Sequence, residues 1–511
     1  MTSTRPPSTA GRPDALRAVR IGIDTYQEPV VYMHADCDIC RSEGFTALAR
    51  VRLELNGREV IATLNVVDSN LLGKHEAGLS DAAWHALGAR PESLVRISHP
   101  DPLESFSKVR GKIYGRGLAL SDFEEIIGDI VAGRYSGLEM ASFVTACAGD
   151  HLSVAETIAL TKAMVSAGAQ LMWPAHPIVD KHCIGGLPGN RTTPIIVAIV
   201  TAAGLMMPKT SSRAITSPAG TADTMEMIAP VKLDLPAMRR VVEREGGCVV
   251  WGGAMGISPA DDILIHVERP LDFDSDGQLT ASVLSKKIAA GSTHALIDIP
   301  VGSTAKVRSA ATARALAKRL MEVGLSLGLT LKIVETDGTQ PVGRGIGPAL
   351  EARDVLSVLR GEPDAPDDLR RRALTLAGHI LELGGKARAD QGEIEATGLL
   401  DSGRAWQKFQ AICEAQGGMR KPTQSTHRHV VAAGRRGRVA WVDNRRLSRI
   451  AKLAGAPRAP AAGVDLHQRL GDQIDKGDPL FTVHAESPGE LTYALSYAAA
   501  HEDAILVEAE R

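Results

Sequence analysis

The spacing of apolar and polar residues changes several times along the chain, and each change predicts a different kind of structure. Short alternating apolar runs follow Val19, where VRIGIDTYQEPVVYMH, ALARVRLELNG and REVIATLNVV predict strands. Asn56-Gly57 separates two of these runs and predicts a hairpin turn. The first part of the chain is therefore expected to be rich in β-structure.

Helical periodicity replaces this alternation in the next part of the chain. LALSDFEEIIGDIVAGRYS predicts a helix with Ser121 as N-cap and Glu124 completing a capping box. LSVAETIALTKAMVSAG repeats the arrangement with Ser153 and Glu156. These helices are expected to pack on one another.

Buried strands and helices alternate through the middle of the chain. CVVWGG, ALIDIPVG and LTLKIVET predict buried strands, and TARALAKRLMEVGLSLG predicts the crossover helix between the last two. The unbroken apolar run from Pro194 to Met207 predicts a buried helix. Further on, DDLRRRALTLAGHILELGG predicts a helix, and short strands return from about His427 around the helix LSRIAKLAG.

The predicted fold class is α/β plus α+β, in a chain of several domains. Its central sheet is expected to be mixed or parallel. The boundaries that we predict are a flexible tail (1–19), an N-terminal β-rich domain (20–100), a helical domain joined by helices near 190–210 (101–173), an α/β domain with a helical region (174–420) and a C-terminal α+β domain (421–511).

Composition narrows the possible functions. The 511 residues have a hydrophobic content of 44% and a net charge of −2, which provides no basic field for nucleic acid. The first twenty residues lack the apolar core of a secretory signal, and no stretch reaches the ~18 apolar residues of a membrane span. We expect a cytoplasmic protein without nucleic-acid or membrane partners.

The cysteines do not indicate a metal site. Cys37 and Cys40 form a CxxC with His34 nearby, but a structural zinc normally needs four ligands. No second pair with suitable spacing occurs among Cys147, Cys183, Cys248 and Cys413. Cys37 and Cys40 are therefore interpreted as reduced structural thiols, and neither a metal nor a cofactor is expected.

Two polar, glycine-bearing turns bracket the apolar run, from Asp180 to Thr193 and from Lys209 to Thr221. Glycines let backbone N–H groups approach a ligand, hydroxyls donate to oxyanions, and helix starts favour negative charge. GGLPGN fits neither the Walker nor the dinucleotide pattern. The turns concentrate donors suited to a phosphate: Lys181, His182, Thr192, Thr193, Lys209, Thr210, Ser211, Ser212, Arg213, Thr216, Ser217 and Thr221.

Five ordered motifs make a resemblance specific. DKHxxGG, KTSSRAITSPAGTAD, SPADD, TASVLSKK and DGTQPVGRGIGPALEA resemble the thymidine and pyrimidine-nucleoside phosphorylase family, especially its long-form branch, which includes AMP phosphorylases. The resemblance extends from about Leu103 to the C-terminus. It implies transfer of a pentosyl group to inorganic phosphate, with a nucleoside or nucleoside monophosphate as co-substrate, in a homodimer.

The resemblance also implies roles for individual residues. His182 matches a histidine near the base carbonyl, and Ser282 and Lys286 match a base clamp whose four-residue spacing puts both on one helix face. Cys183 departs from the serine of shorter members, and Pro188-Gly189-Asn190 lengthens the loop by one residue. The phosphate-binding positions implied are Lys181, Thr193, Ser211 and Thr221.

The long-form branch implies a second assignment of the same region. Asp274 would be the proton donor, which requires a raised pKa. The nucleotide would be held by Gly186, Ser212, Arg213, Ala214, Ile215, Thr216, Ser217, Thr221, Ser282 and Lys306.

Three functions are consistent with these residues. Thymidine phosphorolysis comes first because it defines the family that the chain resembles, and His182, Ser282 and Lys286 support a pyrimidine nucleoside. Phosphorolysis of AMP is the alternative, supported by SRAITS, Asp274 and Lys306. A catalytically silent nucleotide or phosphate sensor is a third class, and it need not keep acid, clamp and phosphate site in one cleft.

Overall fold

The computed structural model describes residues 15–26, 28–214, 217–271 and 275–509. The chain divides into two compact units. One consists of the chain up to Gly117 together with Glu125–Ala146, and the other of Leu118–Glu124 with Cys147–Arg511. A mixed α/β architecture with several domains is therefore correct at this level, whereas the residue boundaries given above remain predictions.

The first unit contains a closed barrel of six strands. The strands are β1 (Ala15–Arg20), β2 (Val30–His34), β3 (Arg50–Leu55), β4 (Arg58–Val67), β5 (Glu76–Leu79) and β6 (Leu94–Ser98). They follow one another around the barrel in the order β1-β5-β2-β4-β3-β6. Asn56 and Gly57 have φ values of 50° and 78°, which confirms the predicted hairpin between β3 and β4. Val31, Leu53 and Val95 are fully buried in the barrel core.

Six helices lie along the chain between Asp38 and Ser166, and the last of them belongs to the second unit. They are α1 (Asp38–Glu43), α2 (Asp81–Leu87), α3 (Phe106–Ile113), α4 (Leu120–Val131), α5 (Gly137–Ala146) and α6 (Val154–Ser166). The side chain of Cys37 accepts a hydrogen bond from the backbone of Cys40 at the start of α1, and both thiols are buried and free.

One of the two predicted capping boxes is correct. Ser153 and Glu156 cap α6 reciprocally, as predicted. Ser121 is not an N-cap, because α4 already begins at Leu120. At this helix start the carboxylate of Asp122 accepts a hydrogen bond from the backbone N–H of Ala119. The prediction for Ser121 was therefore wrong.

A parallel sheet forms the centre of the second unit. Strands β7 (Val179–Cys183), β10 (His294–Val301) and β11 (Thr330–Asp337) pair in the order β11-β10-β7, and β8 (Met207–Ser211) pairs with β9 (Gly247–Trp251). A parallel bridge between Ile178 and Met206 joins β7 to β8. All five strands therefore end at one carboxyl-terminal edge, which is where ligands bind in open α/β sheets.

Helices cover this sheet and connect its strands. They are α7 (Thr192–Ala202), α8 (Thr221–Glu226), α9 (Leu235–Glu245), α10 (Pro259–Leu271), α11 (Asp276–Ala289), α12 (Ala310–Ser326), α13 (Pro348–Arg360), α14 (Asp367–Leu383), α15 (Gly392–Asp401) and α16 (Arg404–Ala415). The crossover helix α12 joins the parallel strands β10 and β11, as predicted.

The predicted helix from Pro194 to Met207 is too long. α7 ends at Ala202, and Met207 already begins β8. Likewise, Asp180–Cys183 and Lys209–Ser211, which we assigned to turns, are parts of β7 and β8. Helix and strand are both buried here, so the apolar pattern does not mark the boundary between them.

The last part of the second unit has two small sheets and two helices. Its elements are β12 (Gly345–Ile346), β13 (His427–Ala432), β14 (Gly437–Val442), α17 (Asn444–Leu453), β15 (Gly463–Leu466), β16 (Gln473–Ile474), β17 (Pro479–Ala485), α18 (Pro488–Ala500) and β18 (Ile505–Glu508). One sheet has the order β12-β15-β17-β13 and the other β16-β14-β18.

Candidate active site

Lys181 lies on the central strand β7, and its ammonium group contacts a threonine and an aspartate. Its Nζ lies 3.1 Å from the Oγ1 of Thr192, at the start of α7, and 3.3 Å from the Oδ2 of Asp298 on β10. The side chain is only 1% exposed. Thr336 on β11 donates to the other oxygen of Asp298 at 2.6 Å. Lys181 is thereby fixed at the carboxyl-terminal edge of the sheet.

The neighbouring His182 is held in its neutral form. Burial lowers its pKa well below the usual value, and the positive charges of Lys287, Lys209, Lys286 and Lys181 lower it further. A neutral imidazole can donate one hydrogen bond and accept another, but it has no imidazolium proton to give. His182 is therefore suited to hydrogen bonding a base rather than to supplying a charge.

Cys183 ends the strand and contributes no anion. Burial and the charge of Asp298 raise the pKa of its thiol to about 12. The side-chain amide of Asn190 donates to this sulfur at 3.3 Å. The lengthened loop is pinned by Gly189, where a Cβ would lie 2.1 Å from the carbonyl oxygen of Val342. The two departures from the shorter enzymes thus contact each other.

The second turn is organised around a buried carboxylate that sequence analysis missed. Asp223, in the first turn of α8, accepts the backbone N–H groups of Ala214 and Gly220 at 2.6 and 2.9 Å. It also accepts from Arg213, which forms a bidentate pair with Glu226 and lies 4.9 Å from the ring of Trp251. The guanidinium of Arg213 therefore shapes the turn.

Arg191 connects the two turns and was also missed. Its guanidinium donates to the Oγ1 of Thr221 at 2.9 Å and to the carbonyl of Ala219 at 3.0 Å. Its Nε donates to the buried carboxylate of Glu351 on α13 at 2.6 Å. This contact holds Thr221 with its own hydroxyl hydrogen available to a ligand, since Thr221 acts here as the acceptor.

The hydroxyl group of Ser211 is buried and could accept or donate a hydrogen bond to a ligand. Its Oγ is shielded from solvent and has no hydrogen-bond partner among the residues that the structure describes. A buried hydroxyl without a partner is costly unless a ligand satisfies it. Ser211, at the end of β8, is one of the four positions that the resemblance assigns to phosphate.

Ser282 and Lys286 are brought together on α11, as their spacing predicts. The Nζ of Lys286 lies 3.2 Å from the Oγ of Ser282 and 2.7 Å from the Oδ2 of Asp261 on α10. Lys286 also acts electrostatically on His182 and, together with Lys306, on Glu268. Burial and the charge of Asp261 raise the pKa of Glu268.

Gly186 and Lys306 lie in direct contact. A Cβ at Gly186 would come within 2.2 Å of the backbone nitrogen of Lys306, and its φ of +78° lies in the left-handed region. Thr304, in the same loop as Lys306, accepts hydrogen bonds from Asn444 of α17. The loop after β10 is thus held from both sides.

The remaining predicted residues differ in what the structure shows. Thr193 is buried at the start of α7, Ser212 and Ala214 belong to the turn that Asp223 holds, and Ser217 donates to the carbonyl of Ala219. Three other predicted site residues lie outside the described residues: Ile215, Thr216 and Asp274.

Within the described ranges, no group of three or more His, Cys, Asp and Glu side chains is arranged to hold a metal ion. Among the described helices, none combines the length and the apolar character needed to cross a membrane.

Three family models match successive parts of the chain. The helical bundle domain of a glycosyl transferase family matches residues 108–168, and the a/b domain of that family matches residues 175–406. The pyrimidine nucleoside phosphorylase C-terminal domain matches residues 439–501. These matches define a glycosyltransferase of the nucleoside phosphorylase class.

Relatives of nearly equal length define the family more closely. "Putative thymidine phosphorylase 2" of Acidovorax sp. strain JS42 is 63% identical over 95% of this chain and 94% of its own. "Putative thymidine phosphorylase" of Polaromonas sp. strain JS666 is 60% identical over 98% of each chain, and the Legionella pneumophila protein of that name is 56% identical over 97% of this chain and 96% of its own. The chain belongs to the thymidine phosphorylase family.

One solved structure is more distantly similar. Anthranilate phosphoribosyltransferase (TrpD) from Thermus thermophilus matches 60% of this chain and 98% of its own, with a TM-score of 0.49 and 19% sequence identity. This likeness is too low to support an argument about this chain.

Proposed function

We propose that the chain catalyses the reversible phosphorolysis of thymidine, giving thymine and 2-deoxy-α-D-ribose 1-phosphate. The observation that carries the proposal is that neutral His182 follows Lys181 on β7 and interacts electrostatically both with Lys181 and with Lys286, which pairs with Ser282. N-glycosidic phosphorolysis requires an anion site and groups that bind the leaving base, and these residues supply donors for both. The names of the relatives agree with this substrate.

The reaction needs few chemical groups from the protein. A phosphate oxygen forms a bond to C1′ of the sugar while the bond from C1′ to the pyrimidine N1 breaks, and its electron pair leaves with the base. Lys181, Thr193, Ser211 and Thr221 would hold the phosphate. His182, Ser282 and Lys286 would donate hydrogen bonds to the base and stabilise the negative charge that develops on it.

AMP phosphorolysis is the second candidate, because of Lys306. Gly186 lets the backbone of Lys306 approach the first turn, and the charge of Lys306 acts on Glu268, as that of Lys286 does. In this candidate, Lys306, Ser212 and Ser217 would hold the 5′-phosphate. Arg213 weakens this candidate, since Asp223 and Glu226 already neutralise its guanidinium.

Release of free base from a panel of substrates tests these candidates. The panel contains thymidine, uridine, adenosine, AMP, CMP and UMP, each with and without phosphate. We expect phosphate-dependent release from thymidine and none from the monophosphates. Release from AMP alone would replace the first proposal by the second. If the folded protein releases no base from any substrate of the panel, both phosphorolysis proposals are contradicted and the nucleotide or phosphate sensor is favoured.

A further inference from the structure

A second buried lysine, Lys209, lies on β8 and contacts a buried carboxylate. Its Nζ lies 3.3 Å from the Oδ1 of Asp180 and 2.5 Å from the carbonyl oxygen of Thr210. The other oxygen of Asp180 lies 2.6 Å from the Nζ of Lys287 on α11. Asp180 also accepts the backbone N–H of Lys181 at 2.6 Å.

The three charged side chains are almost completely removed from solvent. Asp180 and Lys287 are 1% exposed, and Lys209 is 6% exposed. Two ammonium groups therefore share one carboxylate in a region of low dielectric, where an uncompensated charge is expensive. Packing alone does not explain this arrangement, because Asp180 needs only one lysine to be neutralised.

The pKa of Lys209 is lowered in this cluster. Burial lowers the pKa of Lys209 to about 7, the charge of Lys287 lowers it as well, and Asp180 opposes both effects. His182 on β7 and Cys248 on β9 also interact with Lys209, and neither carries negative charge near neutrality, since burial raises the pKa of Cys248. Among the described residues, the carboxylate paired with Lys209 is that of Asp180, which is shared with Lys287.

The cluster is connected directly to the predicted phosphate ligands. Asp180 precedes Lys181 and fixes its backbone, whereas Lys209 lies on β8 two residues before Ser211, whose buried Oγ has no partner among the described residues. An anion bound between Lys181 and Ser211 would supply the negative charge that the cluster lacks. Such an anion would favour the ammonium form of Lys209.

We propose that Lys209 is a positioning residue of the anion site, and that it takes up a proton from solvent when a dianion binds next to Lys181 and Ser211. No bond other than this N–H bond forms. The anion is a tetrahedral oxyanion such as phosphate. The inference rests on the proposed function, because it assumes that the two turns hold phosphate.

Calorimetric titration with sulfate tests the inference. Sulfate is a tetrahedral dianion that does not itself titrate near neutrality, so protons taken up during binding come to the protein. Titration at pH 7 in buffers of different ionisation enthalpy measures the number of protons that the protein takes up per sulfate bound. We expect the wild type to take up about half a proton at pH 7, since a group with a pKa of about 7 is half protonated there before sulfate binds.

Three variants separate Lys209 from the other groups. Lys209→Arg keeps the charge but cannot lose its proton, so it should bind sulfate with uptake close to zero. Lys287→Met leaves Lys209 alone with Asp180 and should also abolish the uptake, because Lys209 is then protonated before binding. Lys332→Met replaces an exposed lysine of β11 and should behave like the wild type.

Equal proton uptake by the wild type and Lys209→Arg would overturn the inference, because the proton would then go elsewhere, for example to His182. Sulfate binding by the wild type without proton uptake would also overturn it. Neither result would affect the proposed function if thymine is still released with phosphate. Absence of both sulfate binding and phosphorolysis would remove the proposed function itself, and the inference with it.

Discussion

The hydroxyl of Ser211 is a buried donor that phosphate would satisfy, so its removal should weaken phosphate binding. A hydrogen bond to a charged group contributes about 1.5–3 kcal/mol, which corresponds to about a 10- to 100-fold change. We expect Ser211→Ala to raise the KM for phosphate by at least about 10-fold, measured by steady-state kinetics. The fold should not be destabilised, because this hydroxyl makes no hydrogen bond to the described residues that the substitution would remove.

Ser292 provides a matched control for Ser211. Its Oγ is likewise buried and without a partner among the described residues, but it precedes β10 at the opposite end of the sheet. Ser292→Ala should leave the KM for phosphate unchanged. Equal effects of the two substitutions would mean that Ser211 acts through packing and does not contact phosphate.

The neutral state of His182 predicts a pH dependence. An ordinary histidine, with a pKa of about 6.5, gains a proton as the pH falls from about 8 to 6. The pKa of His182 lies well below that value, so it stays neutral over this range. We expect the ratio of kcat/KM between the wild type and His182→Asn to be constant from about pH 6 to pH 8. A ratio that falls with decreasing pH would contradict a neutral His182.

Sequence motifs revealed some site residues, whereas others were missed because their partners lie far away along the chain. Lys181, Ser211 and Ser282 stand in recognisable motifs. Arg191 has no motif, because its partner Glu351 lies 160 positions further along the chain. A sequence pattern contains no information about which distant carboxylate a buried arginine meets.

Gly186 and Gly185 give a prediction about the first turn. Both have φ values in the left-handed region, +78° and +93°, so alanine strains the backbone at each. Only at Gly186 would the added Cβ meet the backbone of Lys306, whereas nothing lies within 4 Å at Gly185. We expect Gly186→Ala to lose at least about 10-fold more kcat/KM than Gly185→Ala. The added Cβ would displace the first turn, and a small displacement of substrate-positioning groups lowers the reaction rate strongly.

Circular dichroism of both glycine variants would show whether the fold persists. If the two variants lose equal activity, the backbone strain alone accounts for the effect. The close approach of the first turn to Lys306 would then have no functional importance.

At the level of elements, the type of structure was easier to predict than its limits. The crossover helix α12 and the strands β9, β10 and β11 are where the periodicity predicted them. The end of α7 was not, because helix and strand are equally buried on either side of residues 203–206, and apolar runs of this kind do not distinguish the two. Lys209 was therefore assigned to a turn although it lies within β8.

Asn444 gives a prediction about the whole second unit. Its side-chain amide donates to the Oγ1 of Thr304 at 3.0 Å and to the carbonyl of Gly338 at 2.9 Å. Both acceptors lie in loops at the carboxyl-terminal edge of the sheet. Asn444→Asp keeps the shape but loses the donor, and should raise the KM for the nucleoside by about 5- to 10-fold, the loss of one or two buried hydrogen bonds.

Arg445 is the control for Asn444, because it is the next residue of α17 and is exposed. Arg445→Ala should leave the steady-state constants unchanged. Wild-type kinetics for Asn444→Asp would show that the C-terminal part of the second unit does not position the loop that contains Lys306.

The order of strands in the barrel could not be predicted at all. Alternating apolar residues indicated the strands, but β1 pairs with β5 in parallel and with β6 in antiparallel orientation. Such pairings join residues about 60 to 80 positions apart, for example Arg17 with Glu76 and Ala15 with Arg96. Periodicity within a strand specifies its buried face but not its neighbour.

Phosphorus-31 NMR can follow the proposed transfer of the pentosyl group to phosphate and the role of Lys181 on β7 in the same experiment. Thymidine and inorganic phosphate are incubated with the wild type or with Lys181→Ala. We expect the phosphate signal to decrease while a sugar phosphomonoester signal grows in proportion to released thymine, and we expect Lys181→Ala to lose both. Thymine release without a new phosphomonoester, or unchanged activity of Lys181→Ala, would contradict this account.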